Sequence, residues 1–192
     1  MAKSRKKKKK QRLIILLLVI SCFGIYYLIY KRSVNVVDEI KDFGYTLDKN
    51  DSDLMKLTYE ELKEELSKKD LDDEKYAQII AKLFIIDLYT IDTKENIYDI
   101  GGCEYIIPSK LDSYKLKVQD TLYNYLSNKK NRTEELPIVS SVTVDNFQKD
   151  GNNYIVNLSW QYKKDLGYDT KGEINLSKEN NKIYVVSYKG GE

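Results

Sequence analysis

Leu13 to Tyr30 reads Leu-Ile-Ile-Leu-Leu-Leu-Val-Ile-Ser-Cys-Phe-Gly-Ile-Tyr-Tyr-Leu-Ile-Tyr, 18 residues without a charge. No other feature constrains the chain as much, because few environments accept such a run. As a helix it is about 27 Å long, close to the hydrocarbon core of a bilayer at about 30 Å. Tyr26, Tyr27 and Tyr30 gather at one end, where amphipathic rings suit the membrane interface. Lys31 and Arg32 follow and can snorkel there.

Charge gives the span a direction. Lys3, Arg5, Lys6 to Lys10 and Arg12 precede it, eight cations against the two that follow. Basic residues beside a span stay on the cytoplasmic side. The sequence therefore predicts a basic cytoplasmic tail over 1–12, a transmembrane helix over 13–30, a connector over 31–50 and an extracytoplasmic domain over 51–192. The basic tail also attracts anionic lipid, by about 1 kcal/mol per residue near the surface. A competing reading starts from Val19-Ile20-Ser21-Cys22, which resembles a lipobox and would place a lipid on Cys22 after cleavage. The apolar residues that continue past Cys22 favour the uncleaved anchor. Both readings put the domain outside a cell membrane.

Removing the first 32 residues changes the charge balance. They hold ten of the 32 Lys and Arg and none of the 30 Asp and Glu, which leaves 32 − 10 = 22 basic residues against 30 acids. A domain that acidic repels phosphate backbones, whereas nucleic-acid binding normally needs a basic face.

Val34, Val37 and Ile40 are spaced for a short helix continuing from the anchor and broken at Gly44. Beyond it, period 3.6 comes first. Asp51 to Ser67 is expected as a helix with Leu54, Leu57, Glu61, Leu62 and Leu66 on one face. Asp70 or Asp72 caps a second, Asp73 to Leu88, whose stripe is Tyr76, Ile79, Ile80, Leu83 and Phe84. Gly101-Gly102 turns a loop, Tyr105 to Ile107 suits a short strand, and Ser109 to Ser127 a third helix. The period then drops to two. Strands are expected over Ile138 to Gln148, Tyr154 to Tyr162, Asp169 to Ser177 and Lys182 to Lys189, with turns at Asp150-Gly151-Asn152, around Gly167 and at Asn180-Asn181. Helices first and a strand meander last give an α+β domain, with helices on one face of a curved, mainly antiparallel sheet.

That order, with segments such as Phe84-Ile85-Ile86-Asp87-Leu88-Tyr89, Tyr98-Asp99-Ile100-Gly101-Gly102 and Trp160-Gln161-Tyr162-Lys163-Lys164-Asp165-Leu166-Gly167-Tyr168, resembles the cone-shaped nuclear transport factor 2-like fold from about Asp51 to Lys189. The segments are similar to those of Gram-positive single-pass membrane proteins. The inward N-terminus and outer domain are also similar to the inner-membrane assembly component of type IV secretion systems, which implies a scaffold role. Enzymes of this fold often use a His and Asp pair, and this chain has no His.

Without His, Ser-His-Asp and Cys-His catalysis and most zinc sites are excluded. No cofactor motif is present. Asp48, Asn50, Asp51 and Asp53 fall short of a calcium loop because its Gly and closing Glu are missing in register. The matches to the glycosylation pattern at Asn131, Asn157 and Asn175 suit chance in an Asn-rich chain. Cys103, after two glycines, reads as a small half-buried residue in a tight turn, and no intramolecular disulfide with Cys22 is expected.

Asp87 differs from the other acids because Phe84, Ile85, Ile86, Leu88 and Tyr89 surround it in sequence. Two roles stand open for it: a satisfied structural acid, or a buried carboxylate that bonds a Tyr and acts as a general base. Tyr154, Trp160 and Tyr162, with Tyr168, Tyr184 and Tyr188, lie on the predicted sheet. Asp87, Tyr154, Trp160 and Tyr162 are the candidates for a ligand cavity under the helices. The expectation is a non-enzymatic envelope protein. Its partners are membrane lipid through 13–30 and other envelope proteins, and a small-ligand or peptide-binding module is the alternative.

Overall fold

The computed structural model describes residues 17–21, 36–124, 126 and 135–191. The described chain divides into two units, of which the larger comprises Ile40–Tyr45 and Asn50–Glu192. The fold is α+β. Residues 17–21 are helical, but among the described residues no helix is long and apolar enough to cross a membrane. The rest of 13–30, Cys22 included, and the basic tail lie outside the described residues.

The short helix expected from Val34 to Ile40 is replaced by a strand over the part of it that lies within the described residues. Val36–Ile40 is a strand, β1, paired with β2 at Tyr45–Asp48. Gly44 does break the segment, at a φ of 66°, by turning the hairpin. β-branched Val36 and Val37 suit the strand, and three apolar residues at a spacing of three are too few to hold an isolated helical turn.

Helix α1 is Asp53–Leu66, capped by the Ser52 side chain accepting from the Met55 amide, a contact worth about 1 kcal/mol. Its buried stripe is Met55, Tyr59 and Leu62. Leu57, expected on the inner face, is 67% exposed. Tyr59 rotates the helix: its hydroxyl donates to the Tyr45 carbonyl at 3.2 Å, in the core.

Helix α2, Asp73–Tyr89, is capped by Asp72, which accepts from the amides of Glu74 and Lys75. Eleven of its 17 residues are buried, on all sides rather than along one stripe. That marks a central helix, and it packs against α1 and against the sheet.

Four strands form an antiparallel meander in the order β3-β4-β5-β6: β3 Val139–Asp150, β4 Asn153–Tyr162, β5 Lys171–Glu179 and β6 Lys182–Gly190. On β4, Tyr154, Val156, Leu158 and Trp160 are buried and the residues between them are not, as period two requires. The β5–β6 turn places Asn180 and Asn181 at φ 49° and 67°, the left-handed pair that a two-residue hairpin needs and Asn tolerates.

The third helix is shorter than expected. A single 3₁₀ turn, Pro108–Lys110, leads into α3 at Leu111–Asp120. It stops because Tyr123 turns inward, with its hydroxyl donating to Leu88 O at 3.0 Å and accepting from the Gly101 amide at 3.1 Å. The expected strand at Tyr105 to Ile107 shrinks to one parallel bridge, Ile106 with Val185.

The core is rich in tyrosine. Tyr45 is fully buried, shares a hydrogen bond with the Tyr76 hydroxyl at 2.8 Å, donates to Ile183 O at 3.1 Å and stacks on Tyr105. The Lys182 ammonium lies 4.1 Å from the Tyr45 ring centre and donates to Phe43 O. Glu65 is buried at the start of the α1–α2 turn, between Lys68 at 2.7 Å and Lys75 at 3.3 Å, and accepts from the Asp72 amide. Burial works against its charge, yet these donors hold its carboxyl below the usual value.

Candidate functional site: an open groove between α3 and β6

Asp87 is on α2, and its carboxylate is held from two sides. One oxygen pairs with the Lys94 ammonium and the other accepts from the Gly102 amide at 2.6 Å. Lys94 is itself buried; burial pushes its ammonium down, but Asp87 outweighs that and holds it above the ordinary lysine range. The loop pressed onto this pair leaves no room for side chains. A Cβ on Gly101 would stand 2.0 Å from Asp87 O, and Gly102 has φ +78°. Asp87 is therefore a clamp that ties the 91–102 loop to α2. Of the two roles open for it, this arrangement matches the satisfied structural acid: the carboxylate meets a lysine and an amide.

The clamp sets the place of α3. The Tyr114 hydroxyl on α3 donates to Gly101 O at 2.6 Å, and its ring packs 5.9 Å from Phe84. Cys103 follows in the same loop, half-buried and free. Burial pushes its thiol up to about 11, so it is protonated at neutral pH.

Between α3 and the end of β6 lies an open groove of about 800 Å³, in the size range of ligand sites. Lys110, Ser113, Lys117 and Thr121 line it from the helical side, and Val186 to Gly190 from the strand. Its floor is buried Leu88, Tyr89, Ile106 and Val118, and Gly167, Tyr168 and Asp169 close one end.

Aromatic hydroxyls fix that end. Tyr89 donates to Asp169 Oδ2 at 3.2 Å and shares a hydrogen bond with Tyr188. Burial raises both phenols, Tyr188 to about 12 and Tyr89 further, so both stay neutral. Trp160 Nε1 donates to the Tyr162 hydroxyl at 2.9 Å, which donates to Asp169 O at 2.8 Å. Gly190 lies so close that a Cβ there would stand 2.3 Å from Asp169 Oδ2.

Each sequence candidate now has a place. Trp160 and Tyr162 come together behind the groove, with Trp160 5.2 Å from the Tyr89 ring, and hold the loop that closes it. Tyr154 is elsewhere, beside a smaller recess of about 290 Å³ at the β3–β4 hairpin, and its hydroxyl donates to Asp73. Asp87 lies in the clamp. Of the six aromatics expected on the sheet, two line the groove: Tyr188 from β6, and Tyr168, which lies instead in the loop between β4 and β5. Sequence reasoning missed Lys94, Tyr89, Tyr114 and the groove lysines. The aromatic at each end of the apolar Phe84 to Tyr89 segment was the available signal for Tyr89.

The arrangement suits binding. Ser113 and Thr121 donate to the carbonyls of Lys110 and Lys117 on the same segment, at 2.9 and 2.7 Å. No group of three or more Cys, Asp or Glu that could hold a metal ion occurs among the described residues. Compared with protein-family models, with curated proteins and with solved structures, the chain matches none.

Proposed function

We propose that this chain is a non-enzymatic, extracytoplasmic interaction domain that binds another envelope protein in the groove between α3 and β6. A helix over residues 13–30, with its N-terminus in the cytoplasm, anchors it to the cell membrane. One observation carries the binding reading: a groove of about 800 Å³ with an apolar, aromatic floor, open along a helix and a strand. The anchor rests on the uncharged run and the eight-to-two distribution of cations around it. Helices packed on a four-stranded antiparallel meander support the nuclear transport factor 2-like cone as the finer description of the domain. That likeness together with the groove supports an envelope scaffold role. The groove's open side favours a protein segment over a small molecule, which an enclosed cavity would suit better.

A membrane-impermeant amine cross-linker on intact cells tests this reading. The expected product is a heterologous complex containing the full chain. Recovery of the monomer alone, across reagents of several lengths, contradicts it.

A further inference from the structure

We infer that the partner enters the groove as an extended acidic segment and adds a strand to the outer edge of β6 at Tyr188 to Gly190. This rests on the groove being the interaction site.

An edge strand presents unpaired backbone groups, and folds normally block them. Here most of the edge is blocked. The β3 edge is broken by register shifts between Val139 and Ser141 and between Val144 and Asn146. On β6 the Ile107 amide donates to Val185 O at 3.0 Å, and the Lys110 ammonium donates to Val186 O at 3.0 Å. Past Val186 the edge opens into the groove.

Register says which groups point there. The Gly191 amide donates to Lys171 O at 2.8 Å, and Glu173 lies opposite Lys189. In an antiparallel ladder alternate residues face the same neighbour. Lys189 and Ser187 thus turn their backbone toward β5, and Tyr188 and Gly190 turn theirs outward. A segment of about three residues, roughly 10 Å long, fits against them, with α3 along its other side. Helix on one flank and open strand on the other is the geometry of strand addition.

Charge selects the partner. Beyond residue 32 the chain holds 22 basic residues against 30 acids. The groove lining reverses that sign: Lys110, Lys117 and Lys189 against Asp169, whose carboxylate already accepts from Tyr89. A positive cleft in an acidic domain steers an acidic segment and repels a basic one.

The test uses the full chain in detergent micelles and three peptides: alternating Glu and Val, alternating Lys and Val, and the Glu-Val peptide N-methylated at every second amide. Amide hydrogen exchange is followed at Tyr188 and Gly190. The Glu-Val peptide should slow both amides at least about tenfold, and the N-methylated and Lys-Val peptides should not. Lys117→Glu with Lys189→Glu, both on exposed side chains, should weaken Glu-Val binding about tenfold. Binding that leaves both amides unprotected, or equal binding of the Lys-Val peptide, overturns the inference. So does protection that rises with chain concentration alone, which assigns the edge to a second copy. If cells yield a heterologous complex while the peptides leave Tyr188 unprotected, strand addition fails and the interaction reading stands. If cells yield only monomer, the interaction reading itself fails.

Discussion

Replacing Asp87 by Asn removes one charge from a pair whose side chains are 15% and 10% exposed, Asp87 and Lys94 respectively. Asn keeps an acceptor for the Gly102 amide but takes from the buried Lys94 ammonium the carboxylate it pairs with. Breaking a buried pair from one side costs about 3–5 kcal/mol, and the partial exposure of Asp87 places this site near the lower figure. Asp87→Ala also strands the Gly102 amide, adding about 1–2 kcal/mol. The expected losses are therefore about 3 kcal/mol for Asn and about 4 for Ala, a fall in Tm of about 10 °C for the latter. Removing both charges, Asp87→Asn with Lys94→Met, should recover most of the loss, since a buried pair and an apolar replacement are often near equal. The assay is urea unfolding of the full chain in mild detergent, followed by Trp160 emission and read as a double-mutant cycle. A coupling energy within about 0.5 kcal/mol of zero, or an Asn variant within about 1 kcal/mol of wild type, would refute the clamp.

The other predictions concern separate parts of the fold. Glu65 has its folded pKa lowered, so its stabilising contribution is present above the unfolded value of 4.5 and is lost as pH falls through the folded one. Glu65→Gln should flatten the decline of stability below about pH 5 in pH-dependent urea unfolding; an unchanged acid limb contradicts that. Cys103, with its thiol near 11 against an ordinary 9.0, should form about a hundredfold less thiolate at pH 7. After the greater nucleophilicity of such a thiolate is counted, it should alkylate about tenfold more slowly than in urea, measured by mass spectrometry of its own peptide. A native rate equal to the unfolded one rejects this. Tyr89→Phe takes one hydroxyl from the Asp169 and Tyr188 cluster and should cost about 1–2 kcal/mol in the same unfolding assay. No loss of stability would mean that the cluster does not hold the loop.

Local pattern made much of the fold legible. The period-two alternation of Tyr154, Val156, Leu158 and Trp160 corresponds to burial on β4, and the Asn180-Asn181 turn is visible because few residues besides Gly accept its backbone. Helix α2 was legible in extent, though its burial on all sides was not. The stretch at 34–48 misled because Val34, Val37 and Ile40 fit one turn of a helix as well as a strand, and pairing with Tyr45–Asp48 decides between them. On α1, counting leucines pointed to Leu57, whereas the Tyr59 hydroxyl bond to Tyr45 O fixes the rotation.

The site was less legible for a different reason. Asp87 stood out in sequence as a charge among apolar residues. Its role depends on Lys94 and Gly102, loop residues that carry no pattern of their own. Groove residues are further apart still: Lys110 meets Val186 across 76 positions. Tyr188 could be placed on the sheet, whereas Tyr168, expected there too, lies in the loop before β5, and no local signal brings α3 beside the β6 edge.

The most direct measurement places a photoreactive amino acid in the full chain in living cells, at Ser113 in the groove and, for comparison, at exposed Glu61 on α1. Ser113 should capture a heterologous protein on irradiation and Glu61 should not. Capture from Glu61 alone, or monomer from both positions, would contradict the groove as the binding site.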